Sequence, residues 1–308
     1  MWTDVMLILG SDYMIAEHPP LSQQISLSEL RQMPLPHAVL VCPPDSFDVV
    51  DVKNPFMVGQ QGNVDVRLAK RQWLEVTHAF ERAGIEVREL AAIPGCEDMV
   101  FCANPVFAGP DGLGRPVCVL SHMRYPSRQP EVSAHAAWYR AAGYRIVELN
   151  GSSLFEGSGD ALWHPGRRLI WGGYGHRTSK EIYENIADIF DAPVLPLELK
   201  TELFYHLDTC FCPIDETTVL VHPPALTSAG MELVRHVFQR VIEVGRHEAA
   251  DLMACNAASF LGKYVVIQQG ATETNRKLRR FGYEVIEVDT SEFMKSGGSV
   301  FCMKMYLF

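Results

Sequence analysis

Three stretches far apart in the chain end in nearly the same way, and this repetition restricts the available folds more than any other feature. They are "RAGIEVREL" (82–90), "AAGYRIVEL" (141–149) and "RFGYEVIEV" (280–288). Each closes a segment with helical spacing of apolar residues, namely "RLAKRQWLEVTHAFERAG", "QPEVSAHAAWYRAAG" and "ETNRKLRRFG", and each runs on into strand-like alternation. Gly84, Gly143 and Gly282 stand where a helix end takes left-handed backbone, which a residue without Cβ adopts freely. The Gly143 to Gly282 interval is a little over twice the Gly84 to Gly143 interval, which leaves room for about five copies of one unit.

A weaker copy is "NIADIFDAPVLPLEL" (185–199), broken at Asp191-Ala192-Pro193. Apolar runs that read as strands are "AVLVCPP" (38–44), "PVCVLSHMRYP" (116–126), "RRLIWGGYG" (167–175), "TTVLVHPPAL" (217–226) and "KYVVIQQG" (263–270). The recurring order of strand, turn, helix, glycine and strand predicts an α/β fold built by internal repetition. No composition break marks a linker, so residues 1–308 are expected to form a single domain, with 1–37 as an N-terminal arm or first repeat element.

A chain of 308 residues with 47% hydrophobic content can bury a sizeable core. Its formal net charge of −10 disfavours nucleic acid and anionic membranes as partners and agrees with a small cationic substrate. "VMLIL" near the N-terminus lacks a basic flank and a cleavage pattern, and no uncharged apolar run reaches the roughly 18 residues of a membrane span. The eight cysteines (42, 96, 102, 118, 210, 212, 255 and 302) are scattered and read as reduced thiols. The expectation is a cytoplasmic protein, with a homo-oligomer possible. Cys42, Cys118 and Cys255 read as apolar packing, as do Cys96, Cys102, Cys210 and Cys212 beside the polar segments.

If the units repeat, the polar segments that interrupt the strands should converge at one end of the fold. "FYHLDTCFCP" (204–213) has strand-like composition, on which His206, Asp208 and Cys210 would share one face and offer an acid-base pair. A zinc reading of His206, Asp208, Cys210 and Cys212 lacks the spacing of the strong zinc signatures. "FEGSGDALW" sets Glu156 and Asp160 around two glycines, and "CEDMVFCAN" sets Glu97 and Asp98 before an apolar run. The chain closes on "SGGSVFCMKMYLF", with Cys302 just after a glycine turn.

In this order, from "VCPPDSFDVVDVKNPFM" through "CEDMVFCAN", "FEGSGDALW", "GYGHRTS" and "FYHLDTCF" to "GGSVFCM", the segments resemble the guanidino-group-modifying enzymes. That superfamily includes arginine deiminases, dimethylarginine dimethylaminohydrolases, amidinotransferases and arginine dihydrolases. The resemblance implies a pentein, a pseudo-fivefold α/β propeller of ββαβ units around a central site, and no cofactor or metal. It implies Cys302 as nucleophile, His206 as acid and base, and Glu156 as the carboxylate holding the guanidinium. Asp98 and Asp208 resemble further guanidinium-holding or histidine-orienting carboxylates, Arg124 and Arg177 resemble arginines that recognise the substrate carboxylate, and Asn54 resembles a substrate-lining position. His122, Trp163 and Tyr205 are candidate pocket residues.

A guanidinium carbon is a weak electrophile, so its attack needs a strong nucleophile and a proton for the departing nitrogen, which a thiolate beside a protonated histidine would supply. One departure matters. Asn104 stands where deiminases and dimethylargininases carry a second carboxylate, with Ala103 before it. An amide donates and accepts, which suits a neutral ureido group, and this asparagine resembles that of the arginine dihydrolases. The leading expectation is arginine to ornithine, ammonia and carbon dioxide. Single hydrolysis of arginine or dimethylarginine to citrulline, amidino transfer, and non-catalytic guanidino binding are the alternatives.

Overall fold

The computed structural model describes residues 26–308, so the "VMLIL" run and most of the expected N-terminal arm lie outside the described residues. The apolar run "AVLV" forms β1 (Ala38–Val41), buried along its whole length, and leads through α1 (Val66–Arg82) to β2 (Glu86–Glu89), which pairs parallel to β1. In the second unit β3 (Val106–Pro110) and β4 (Pro116–Leu120) are antiparallel, and β5 (Arg145–Val147) returns parallel to β4 after α2 (Gln129–Ala141). The third repeats this with β6 (Ala161–Trp163), β7 (Ile170–Tyr174), α3 (Ile182–Phe190) and β8 (Val194–Glu198). The fourth uses β9 (Phe211–Pro213), β10 (Thr218–Val221), α4 (Ser228–Val237) and β11 (Arg240–Glu243).

After the short α5 (Arg246–Ala250), the fifth unit consists of β12 (Ala258–Phe260), β13 (Tyr264–Gln268), α6 (Thr272–Arg280) and β14 (Glu284–Val288). The chain then passes α7 (Ser291–Met294) into β15 (Lys304–Leu307), which pairs antiparallel with β1, Ala38 opposite Leu307. The last strand therefore completes the first blade. The described residues form five three-stranded sheets of identical plan, as the repeats predict.

Each expected strand and helix of the repeat is present, and Gly84, Gly143 and Gly282 end their helices at φ of 80°, 87° and 91°. In the weaker copy Asp191 takes that left-handed place at φ 48°. Middle strands are buried while outer strands such as β2 carry Glu86, Arg88 and Glu89 to solvent, because helices cover only one side of each blade's rim. The helices lay apolar faces on the sheets: Ala69, Trp73, Val76 and Phe80 of α1 pack with Val39, Val41, Phe260 and Val266. Between blades, Trp171 is fully buried and stacks on Phe238 with ring centroids 5.3 Å apart.

The repetition also places the chemistry. Just before the first strand of each sheet comes a tight loop, and these five loops carry Asn104, Glu156, His206 with Asp208, Asn256 and Cys302. First strands of neighbouring blades touch, β9 with β12 and β3 with β15, so the loops meet at the centre. "FYHLDTCFCP" departs from expectation here. Leu207–Thr209 is a 3-10 turn with His206 at its start, and the strand begins only at Phe211. The Thr209 hydroxyl donates to the His206 carbonyl at 2.6 Å, a local bond that competes with strand pairing, and Cys210 turns away to donate to the Leu207 carbonyl.

Candidate active site

Cys302 is 2% exposed and is held by its neighbours on every side. Its N–H donates to Asn256 Oδ1 at 3.2 Å, its Sγ receives Asn256 Nδ2 at 3.2 Å, and its thiol donates to Asp208 Oδ2 at 3.1 Å. Asn256 also accepts from Ser299 N and donates to the Asp208 carbonyl, so one buried amide ties the cysteine turn to the turn of Asp208. The glycines before Cys302 are needed for packing against other residues. A Cβ on Gly297 would lie 2.8 Å from Tyr205 Oη and 2.9 Å from the Asn54 amide, at a φ of 85° that side chains resist. Burial, reinforced by Asp208, pushes the Cys302 thiol well above its usual range, so the sulfur rests protonated. Burial likewise raises Asp208 to about 7.

A second cluster is built on Glu156, which is fully buried. Its Oε2 accepts from His206 Nε2 at 2.7 Å and Arg177 at 2.8 Å, and its Oε1 accepts the Arg124 N–H at 2.9 Å. Burial works against this charge, yet Arg177 and His206 hold Glu156 down to about 2. Both oxygens are thus committed to the protein. The carboxylate expected to hold a guanidinium accepts here from His206, Arg177 and the Arg124 N–H.

The orientation of His206 follows from its partners. Arg128 donates to Asn104 Oδ1 at 3.0 Å, which fixes the amide and turns Nδ2 toward His206 Nδ1 at 3.4 Å. Nδ1 must therefore be the acceptor, and the ring proton sits on Nε2 facing Glu156. Burial, opposed by Glu156, lowers His206 to about 4, so the imidazole is neutral near pH 7. The expected thiolate and imidazolium pair is not the resting arrangement, and the sulfur's proton partner is Asp208.

Cys302 and Asn104 line a small cavity together with Lys53, Asn54, Asp98, Arg128, Arg177 and Tyr205. His206 and Glu156 stand behind Asn104 and Arg177. A wider vestibule shares Lys53, Asn54, Arg177 and Tyr205 with it and adds Arg124, Tyr125 and Glu202. Arg177, buried, lies between the faces of Tyr125 and Tyr205 with its guanidinium carbon 4.8 Å from each ring centre. Arg124 is exposed at the mouth and donates to the His176 carbonyl. Asn54 caps a 3-10 turn through Phe56 N and donates to the Ser296 carbonyl.

Asp98 accepts from Ser296 Oγ at 3.1 Å and lies 3.1 Å from Lys53 Nζ. Lys53, also paired with Asp51 and Glu97, keeps its charge against burial and is raised by Asp98 and these partners. Tyr205 lines the site, whereas His122 bonds the Ser153 carbonyl and Trp163 donates to the Ala108 carbonyl, away from it. The zinc arrangement does not form, since His206 and Cys210 are engaged elsewhere. No three His, Cys, Asp or Glu side chains among the described residues converge on a metal position.

Sequence reasoning passed over Lys53, Arg128 and Asn256. Arg128 grips Glu131 with two bonds of 3.0 and 2.8 Å, an i, i+3 pair visible in "RQPE". Asn256 had a stronger signal: "ACNAASF" sits at the fifth repeat of the loop that carries Asn104 in "FCANPVF".

A profile described as N,N dimethylarginine dimethylhydrolase, eukaryotic, matches residues 50–308. The chain belongs to this family. It is 36% identical over 275 residues to the N(G),N(G)-dimethylarginine dimethylaminohydrolase of Mycobacterium tuberculosis, covering 89% of this chain and 87% of that one. It is 34% identical over 269 residues to the bifunctional arginine dihydrolase/ornithine cyclodeaminase ArgZ of Synechocystis, covering 87% of this chain and 37% of ArgZ. The crystal structure of the ArgZ N-terminal domain, in an asparagine-to-serine form covalently bound to a reaction intermediate, superposes with TM-score 0.83 at 32% identity. It covers 88% of this chain and 97% of that domain. The fold is the pentein, and the protein is a hydrolase of guanidino C–N bonds of the dimethylargininase and ArgZ type. No helix among the described residues is long and apolar enough to cross a membrane.

Proposed function

We propose that this family member, acting as one five-bladed catalytic unit, converts arginine to ornithine, ammonia and carbon dioxide with Cys302 as nucleophile. The observation that carries the choice is Asn104, an amide in the cavity wall beside Cys302, held between Arg128 and His206. A neutral donor and acceptor at this position tolerates both the cationic guanidinium and the uncharged ureido group that follows it.

In this reading Asp98 receives the guanidinium, Asn54 and Tyr205 line its path, and Arg124 and Arg177 face the substrate carboxylate from the vestibule. The Cys302 proton passes to Asp208 across 3.1 Å and the sulfur attacks the guanidinium carbon. Thiolate and cation combine into a neutral tetrahedral adduct. The former thiol proton ends on the departing nitrogen, ammonia leaves, and a cationic S-alkylthiouronium remains. Neutral His206 takes a proton from the attacking water once Asn104 Nδ2, from which it accepts at 3.4 Å, releases its Nδ1 lone pair. The C–S bond breaks to give citrulline and the thiol. A second attack on the ureido carbon expels another ammonia to form a thiocarbamate, whose hydrolysis yields a carbamate that decomposes to ornithine and carbon dioxide. The covalent intermediate named for the ArgZ domain supports such a route.

A second reading, dimethylarginine to citrulline and dimethylamine, is favoured by the family profile and by the Mycobacterium relative. A product assay separates them. Purified protein given arginine should yield ornithine and two equivalents of ammonia. Citrulline alone sinks the dihydrolase reading, turnover of dimethylarginine alone selects the second, and a new guanidino compound on adding glycine indicates amidino transfer.

A further inference from the structure

Among the described residues that line the inner cavity, the charged ones are Lys53, Arg128 and Arg177 against a single carboxylate, Asp98. Such a lining is unfavourable for a cationic guanidinium unless each cation is neutralised by its own partner. Arg128 is neutralised by Glu131 through bonds of 3.0 and 2.8 Å, and Arg177 by Glu156 at 2.8 Å. Lys53 differs, because its ammonium is shared among Asp98 at 3.1 Å, Glu97 at 2.9 Å and Asp51. Its side chain is 2% exposed and its backbone is fixed on both sides, the N–H donating to Met57 Sδ and the carbonyl accepting from Arg177 at 2.8 Å. Asp98 Oδ2 is buried, lies 4.0 Å from Arg128 Nε, and completes no hydrogen bond among the described residues, so it can still accept one. Nothing in the mechanism above uses Lys53.

We propose that Lys53 is a specificity-determining residue, an internal competitor that shares Asp98 with the cation of the substrate. On binding, the guanidinium takes the open Asp98 oxygen and the ammonium leans on Glu97 and Asp51, which stand outside the cavity lining. In the free protein the Lys53 and Asp98 pair carries no net charge, so the cavity favours a cation less than a bare buried carboxylate would. A neutral ureido group gains nothing by displacing the lysine. The preference for guanidinium over ureido is therefore set by how firmly Lys53 holds Asp98. A moderate preference keeps the neutral intermediate of a two-step reaction from being displaced by incoming arginine.

This inference rests on the reading in which Asp98 meets the guanidinium, and its test needs no turnover. Calorimetry in the Cys302→Ser background compares two cations, arginine and dimethylarginine, with neutral citrulline. With Lys53→Met added, the cations should bind at least about fivefold more tightly while citrulline moves by less than about twofold. Glu97→Gln, which deprives the ammonium of one alternative partner, should shift the ratio of cation to citrulline affinity the opposite way, by about twofold or more. Equal weakening of all three ligands marks a merely structural role and overturns the inference. An unchanged ratio, or shifts of the same sign in both variants, overturns it too, even if arginine is converted to ornithine. Opposite shifts together with a product assay that yields only citrulline would leave Lys53 in this role and remove the two-step reaction alone. Should Lys53→Met not fold, Glu97→Gln decides by itself, since it keeps the lysine.

Discussion

At the residue scale, the site separates two proton carriers that sequence reasoning had merged. In the proposed reaction the pair of Cys302 and Asp208 forms the nucleophile and the pair of His206 and Glu156 handles water, with Asn104 bonded to His206. Their proton affinities predict the pH profile. Asp208 must be ionised to accept the thiol proton and sits at about 7, while His206 at about 4 is already neutral there. The acid limb of kcat/KM should therefore have its midpoint near pH 7, losing about tenfold per unit below it, and Asp208→Asn should abolish that limb along with most of the rate. A limb near pH 4 would assign control to His206 instead. Cys302→Ser should lower kcat by at least about a thousandfold while arginine still binds, measurable by calorimetry. Stability responds to His206 with a defined sign. The folded protein leaves it unprotonated between about 4 and its ordinary 6.5, whereas the unfolded chain binds a proton there. Its contribution is complete above pH 6.5 and is lost as pH falls toward 4, which urea titrations of wild type and His206→Gln would reveal as a difference in slope.

At the scale of elements, one buried amide sets the shape of the nucleophile's turn. Asn256→Ala removes bonds to Cys302 N, Cys302 Sγ, Ser299 N and the Asp208 carbonyl. We expect kcat to fall by about a hundredfold, because a small displacement of the sulfur spoils its approach, with KM moving far less. By contrast, Thr227 caps α4 by accepting Gly230 N at 3.2 Å, remote from the cavity. Thr227→Ala should cost about 1 kcal/mol in chemical denaturation and leave kcat/KM unchanged. The helices were legible because their apolar spacing and their terminal glycines are local signals, as at Gly84 and Gly143. The turn at Leu207–Thr209 was misread as strand because its β-favouring composition says nothing of the Thr209 hydroxyl bond that shapes it. Arg128 and Lys53 were passed over for another reason. Their partners Asn104 and Asp98 are distant in sequence, and only the closed ring brings them together.

At the scale of the whole molecule, the period of the repeats disclosed the five units but not how the ring closes. The first blade is the one whose strands come from both ends of the chain, with β15 laid along β1 so that Val39 faces Tyr306 and Val41 faces Lys304. This pairing places Cys302, two residues before β15, in the same kind of loop that Asn104, Glu156, His206 and Asn256 occupy before their own strands. With Cys302 as the proposed nucleophile, closure and catalysis would depend on the same short segment. Met305 and Leu307 are each 2% exposed, and burial of each contributes about 1.5–3 kcal/mol, before the lost β1 pairing is counted. That sum approaches the lower part of the about 5–15 kcal/mol by which a domain is stable. Deleting residues 304–308 should thus abolish the cooperative thermal transition and leave β1 as an unpaired edge that promotes association, seen by circular dichroism and gel filtration. A truncated protein that melts cooperatively within a few degrees of wild type would show that the ring does not need its terminal strand. The placement of Cys302 would then require another explanation.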